Sequence, residues 1–415
     1  MKSWLKIISK KEILSWAFYD FANSAYALIV VSFVFPIFYR EVIAGAKLGD
    51  FYWGLITSVS ILIGALIAPI IGAMADEDGR KKIKFTIFSS LSMGGTALLF
   101  FTGSGTLLWA SLLFIAANIF FEISQTIYDS FLGHISTRET VGKISGFAWG
   151  LGYVGGVAAL LLFQPLFGQG YEDNLFLYKL TFPLTALFFL LFSIPAFLFL
   201  KDENILHRTR HPLPQLTRKA FQRVWHTVKH FREYRNIAWF LFGLYLFNDA
   251  LVTMFTFMPL FARTTLQMSI KEIAFLLLLV QLLAFPFTAF FGWLSDKKGS
   301  KPILLFAVAG WAILTFVIYL AETKEIFYLA VLIGSMVMGS SQATARSWLS
   351  KMVPPEKRSE FFGFNGFASK IAATTGPIVF GALSSFTGNQ RNGVLAMIPF
   401  FILAFFIFAR IKEER

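Results

Sequence analysis

No cysteine occurs in the 415 residues, which excludes a disulfide scaffold, a Cys-ligated zinc or iron–sulfur centre and a thiol nucleophile. Histidine is scarce, at five, and four of these (His207, His211, His226 and His230) crowd into one connection with no acidic cluster beside them, so no metal site and no bound cofactor is expected. Charged residues make up 15% of the chain, against about 25% in soluble domains. That is too little to cover a water-exposed globule. Neither a G-x-x-x-x-G-K-[ST] loop nor a G-x-S-x-G elbow is present, so direct ATP hydrolysis and serine-hydrolase chemistry lack their machinery. What is abundant is apolar: 56% hydrophobic residues, 51 of them Phe, and a mean hydropathy of +0.65. A membrane-embedded chain, and not an enzyme, is the expectation.

The net charge of +13 invites a nucleic-acid reading, but the cations are not pooled on one soluble segment. They fall in alternate gaps between apolar stretches. Of 37 Lys and Arg, 29 lie before residue 13, in 79–84, 131–143, 201–235, 295–301 and 346–358, and after 409. The intervening gaps hold about six. By the positive-inside rule both termini are cytoplasmic and the number of spans is even. Stretches able to cross about 30 Å lie at 13–38, 51–75, 83–103, 107–132, 144–166, 179–200, 237–262, 272–294, 302–321, 326–348, 360–386 and 392–409. The expected fold is an all-α membrane protein of twelve transmembrane helices, since the alternating ten-residue strands of a barrel are absent.

An internal repeat divides the chain. Phe35-Pro36-Ile37-Phe38-Tyr39-Arg40 echoes Met258-Pro259-Leu260-Phe261-Ala262-Arg263. Gly72, Asp76 and Gly79 share their spacing with Gly292, Asp296 and Gly299; Ser124-Gln125 and Gly146-Phe147 match Ser341-Gln342 and Gly363-Phe364 at one offset. Residues 1–200 and 236–415 read as two pseudo-twofold-related six-helix bundles, a parallel repeat of the kind found in major facilitator transporters. The basic connection 201–235 has the spacing of an amphipathic helix lying on the inner leaflet.

Ionisable groups inside a membrane are costly, about 2.5–3.5 kcal/mol each at the centre, so their positions carry information. Asp20, Glu122, Asp129, Asp249, Arg346 and Lys370 fall on helices 1, 4, 7, 10 and 11, and the interiors of helices 3, 6, 9 and 12 carry none. On helix 4, Asn118, Glu122, Gln125 and Asp129 share one face by their 4-3-4 spacing; Asp20 and Asn23 share a face of helix 1, as do Asn248 and Asp249 with Tyr245 on helix 7. These helices are expected to enclose a hydrated path. Asp20, Glu122 and Asp249 are the candidate proton carriers; Asn23, Asn118, Gln125, Asn248, Gln342 and Lys370 are candidate solute contacts. The alternative use of such groups is as interhelical ties. Asp129 and Arg346, equivalent in the repeat, are candidates for an inner gate.

The segment Gly72-Ala73-Met74-Ala75-Asp76-Glu77-Asp78-Gly79-Arg80-Lys81-Lys82 resembles the signature loop of the major facilitator superfamily, with a weaker copy at Gly292–Lys301 in which Ser300 stands for the Arg. Ser15-Trp16-Ala17-Phe18-Tyr19-Asp20-Phe21-Ala22-Asn23-Ser24-Ala25-Tyr26 is similar to the opening helix of the vacuole-effluxer-like family, related to autophagic amino-acid effluxers. The stretches 145–153, 341–347 and 360–364 resemble it too. The resemblance implies a monomeric secondary transporter of a small solute, with Asp76, Gly79, Arg80, Asp296 and Gly299 gating the inner side. Asp76 is expected to reach the start of helix 11, and Asp296 the start of helix 5, where free amides favour an anion. The cations after Gly79 suit anionic lipid. Charges of both signs along a path with Trp and Tyr suit a zwitterion such as an amino acid. Two alternatives stay open: an exporter of amphipathic drugs or lipids, favoured by the Phe content, and a non-transporting receptor on the same fold. The absence of cysteine points to a bacterial inner membrane.

Overall fold

With no water to take up backbone hydrogen bonds, long apolar runs in lipid become helices. The computed structural model describes residues 10–137, 140–202, 235–352, 369–371 and 373–411; side chains at 69, 72–73, 75–78, 141–143, 285, 289, 292–293, 296, 339–340, 342–343, 346–347 and 350–351 are outside that description. Among the described residues are α1 (Lys11–Ile43), α2 (Gly49–Asp78), α3 (Lys81–Leu98), α4 (Leu107–Ile135), α5 (Val141–Phe167), α6 (Leu175–Phe199), α7 (Arg235–Thr264), α8 (Ile270–Lys298), α9 (Ser300–Leu320), α10 (Lys324–Met352), α11 (Thr375–Thr387) and α12 (Gln390–Arg410). Ten of them contain a stretch long and apolar enough to cross a membrane. The other two, α10 and α11, border undescribed residues. The expected linker helix lies outside the described residues.

The chain falls into two compact units. Among the described residues one holds 10–43 and 60–202, the other 44–59 and 235–411. In the first, α1 packs on α5 and α6, and α3 on α4 and α6. In the second, α7 packs on α11 and α12, and α9 on α10 and α12. The same pairing recurs in both, as an internal repeat requires. Residues 44–59 join the second unit through Asp50, a buried carboxylate that accepts from Ser384 Oγ at 2.5 Å and from Gln390 Nε2 at 2.9 Å.

Helix ends follow local chemistry. Ser269 and Glu272 form a capping box at α8, and Asn174 and Asn389 cap α6 and α12. Gly79 (φ +62°) and Gly299 (φ +93°) turn the chain between α2 and α3 and between α8 and α9, backbone that residues with a Cβ rarely adopt. Rows of exposed apolar side chains, such as Leu91 and Leu98 on α3, Leu191 and Leu198 on α6 and Phe306 and Ile313 on α9, suit lipid rather than water.

Two spans differ from the sequence expectation. Helix α1 is not uniform: Tyr26–Ser32 and Tyr39–Ile43 are π-helical, with a break at Phe33 (φ −130°, ψ −76°). Pro36 has no N–H to give to Ser32, so the regular ladder cannot pass through it. The span expected at 360–386 is interrupted. Residues 369–371 are helical, 373–374 form a turn, and α11 starts at Thr375. Pro377 lies in its first turn, where a proline is tolerated, and has no N–H to give to the carbonyl of residue 373.

Candidate functional site

In the first unit Trp16 and Tyr128 clamp α1 to α4. Their rings stack at 4.7 Å, Trp16 Nε1 donates to the Tyr128 carbonyl at 3.1 Å, and Tyr128 Oη donates to the Trp16 carbonyl at 3.0 Å. One residue inside the predicted polar face, the Tyr19 hydroxyl meets Ser89 of α3 and Ser124 of α4 at 2.9 and 3.0 Å. With α1 and α4 held this closely, three of the predicted polar residues come together. Asn23 Nδ2 donates to Asp20 Oδ1 and to Gln125 Oε1, both at 3.3 Å. Asp20 and Gln125 are half-buried while Asn23 is buried. Glu122, also half-buried, rests against α2 at Gly64, where an added Cβ would stand 2.8 Å from the Glu122 Cβ.

Asn118 shares a face with these residues but is used differently. It is buried, accepts from Tyr26 Oη at 3.3 Å and donates to Ser60 Oγ at 2.8 Å. It therefore ties α1, α2 and α4 together, the role of many polar groups between membrane helices. Asp129, one turn beyond Gln125, is exposed.

In the second unit one of the predicted polar residues, Asp249, sits on backbone, and Tyr245 and Asn248 meet side chains. Asp249 is 0% exposed, and its Oδ1 accepts from the Gly376 amide at 2.7 Å. Asn248 Nδ2 reaches Ser369 Oγ at 3.5 Å, and the Tyr245 hydroxyl meets Thr375 Oγ1 at 3.0 Å. Lys370 follows Ser369 and is half-buried. Gly376 and Ser369 were not singled out from sequence. The run Thr374-Thr375-Gly376-Pro377 is the signal that points to them, since Thr before Pro marks a helix start.

At the signature loop Gly79 is buried and Arg80 exposed. Lys81 and Lys82 both meet protein groups. Lys81 Nζ lies 3.0 Å from His134 Nε2, Lys82 Nζ donates to the Leu198 carbonyl at 2.8 Å, and the Lys82 amide is capped by Asp202 at 2.7 Å. The side chains of Asp76, Asp296, Gln342 and Arg346 lie outside the described residues, as do residues 360–361, the expected partner of Asp76. Among the described residues no three His, Asp or Glu gather as a metal site would require. The arrangement offers carboxylates, amides and a lysine inside membrane-spanning helices, groups able to exchange a proton or hold a polar solute.

The comparisons with known proteins agree with this architecture. The chain is 29% identical to the "uncharacterized MFS-type transporter YxiO" of Bacillus subtilis, over 99% of this chain and 96% of that protein. It is 23% identical to autophagy-related protein 22 of Kluyveromyces lactis, over 98% and 94%. Among solved structures it superposes on a nucleoside transporter, NupG, with a TM-score of 0.73 and 11% identity, covering 96% of this chain and 99% of that one. On a D-xylose–proton symporter the TM-score is 0.71 at 16% identity, with 99% and 98% covered. At such identities the likeness concerns the fold, which is that of major facilitator transporters. The family model described as "vacuole effluxer Atg22 like" matches residues 52–415, and the chain belongs to that family of membrane transporters.

Proposed function

We propose that this transporter is a secondary carrier that moves a small solute by alternating access, coupled to protons, with amino-acid efflux as its task. One observation carries the reading: Asp20, Asn23 and Gln125, from two helices of the first unit, converge within membrane spans, and two of them, Asp20 and Gln125, are only partly buried. Groups serving cohesion alone are expected to be buried and mutually satisfied, as Asn118 is. A carboxylate beside two amides suits the ammonium end of a zwitterion. Glu122 lies one turn from Gln125 and Asp249 in the second unit, so each unit supplies a carboxylate for proton exchange. In the second unit, Lys370 and Asn248 are proposed as further solute contacts. The inner gate is assigned to Asp76, Gly79 and Arg80 with Asp296 and Gly299, and to Asp129 with Arg346. Both termini are assigned to the cytoplasmic side, which the cation distribution supports, and the chain to a bacterial inner membrane.

The test is flux. Purified protein in liposomes with an imposed pH gradient is expected to drive labelled amino acids across the bilayer, and a protonophore to abolish the accumulation. Counterflow without a gradient separates a carrier from a receptor. Gradient-insensitive counterflow would remove the coupling, and no counterflow of any amino acid would remove the substrate class. The exporter of amphipathic compounds draws on the Phe content. Yet Phe33, Phe35, Phe38, Phe85 and Phe114 are fully buried in the packing of the first unit, so packing accounts for them.

A further inference from the structure

Helix α11 begins at Thr375 without a cap of its own: Thr374 stands in the N-cap position and makes no side-chain bond to the helix. The first amides of a helix need an acceptor, usually a Ser, Thr, Asp or Asn just before them. Here the acceptor comes from another helix. Asp249 Oδ1 takes the amide of Gly376, the second residue of α11. The approach leaves no space for a side chain, since a Cβ on Gly376 would fall 2.9 Å from both the Asp249 carbonyl oxygen and its Oδ1. The other carboxylate oxygen, Oδ2, is buried and makes no hydrogen bond among the described residues. A fully buried carboxylate with one oxygen on a helix terminus and the other unpartnered has a place ready for a proton.

Among the described residues Asp249 is in neither of the ion pairs Lys201–Glu12 and Lys324–Glu272. Beside Asp249 on α7, the titratable neighbour is Tyr245, held by Thr375. Among the described residues leading into α11, 369–371 and 373–374, the charged residue is Lys370. On the other helices packed against α7, the described charged side chains sit towards the helix ends: Lys271, Glu272 paired with Lys324, Lys297, Lys298, Glu325, Arg391 on the Tyr319 and Ala321 carbonyls, and Arg410. The side chains of Asp296 and Arg346 are outside the described residues.

We propose that Asp249 is a proton-operated cap: in its charged form it pins the start of α11 to α7, and a proton on it frees that end at the turn of 373–374. The anion is attracted by the helix dipole and by the amide it accepts from, and both attractions weaken on neutralisation. The inference deepens the proposed proton-coupled function, choosing one carboxylate and naming the element it moves.

Hydrogen exchange of the full chain in nanodiscs, followed over the α11 peptide across acid and neutral pH and corrected for intrinsic exchange, tests it without any substrate. The wild type is expected to exchange about tenfold faster at the start of α11 once the carboxyl is protonated. Asp249→Asn keeps an acceptor that does not titrate, and should give one rate at every pH. A wild-type rate that ignores pH, or an acid response that persists in Asp249→Asn, overturns the cap. Proton-driven flux with a pH-blind α11 would reject this inference alone. A pH-responsive α11 without such flux would keep the cap and reject the coupled-carrier reading.

Discussion

Helices α1 and α7 occupy the same repeat position and carry the same proline, yet they treat it differently. α7 runs as α-helix from Arg235 to Thr264 with Pro259 inside it, whereas α1 widens into π-helix over Tyr26–Ser32 and breaks at Phe33 before Pro36. The register that aligns the prolines sets Tyr26 opposite Asp249, each ten residues before its proline. At that level the first unit has a neutral tie, Tyr26 to Asn118 to Ser60, and the second has a carboxylate on a helix terminus. The difference teaches that the two halves share a packing plan but not a chemistry. At this level the first half binds side chain to side chain, and the second sets a carboxylate on backbone.

That contrast can be broken or sharpened by substitution. The largest effect is expected where the halves agree, at the glycines that bring helices into contact. Gly155→Val in α5 would press on Phe21, whose Cα lies 2.8 Å from an added Cβ. Together with Gly376→Val it should cost at least about 3 kcal/mol, read as loss of monodisperse protein on size exclusion; normal thermal stability would mean the helices are not so closely set. Next comes Asp249→Asn, expected to fold and to lower gradient-driven accumulation about tenfold or more while sparing counterflow. Equal loss of both would make the residue a solute contact or a structural one.

Gln125→Ala should weaken solute binding by about 1–2 kcal/mol, roughly tenfold, with unchanged melting temperature; an unchanged KM would leave Asn23 and Asp20 without a role for their partner. Tyr26→Phe removes one hydrogen bond to a buried amide and should cost about 1 kcal/mol of stability, with no change in the pH profile of transport. A shifted profile would erase the difference between Tyr26 and Asp249. The smallest effect belongs to Lys324→Ala, whose pair with Glu272 is over a third exposed on both sides and is worth about 0–1 kcal/mol by chemical denaturation.

Much of this architecture is readable in the sequence. Hydropathy locates the helices because the bilayer demands long apolar runs, and Gly79 and Gly299 mark turns because few other residues take positive φ. Helical spacing alone puts Asp20 and Asn23 on one face of α1 and Gln125 on a polar face of α4. Spacing cannot separate Gln125 from Asn118, two amides on one face, because which of them meets a tyrosine is decided by the neighbouring helices. The partner of Asp249 is hidden for a different reason: a backbone amide has no residue type to announce it. Pro377 does signal the break ahead of α11, but in a run of apolar residues a proline is compatible with a kinked continuous span.

The widened turn of α1 changes how that helix presents its side chains. Each residue adds about 100° around an α-helix, so a stretch of π geometry resets the angular phase between the two segments it joins. Ahead of Tyr26 the helix shows Asp20 and Asn23 to α4; beyond Phe33 the same rod buries Phe35 and Phe38 among aromatic rings from α4 and α6. Removing a single residue between 26 and 32 would spare the composition and the hydropathy of the segment, yet swing one of those two faces away from its neighbours.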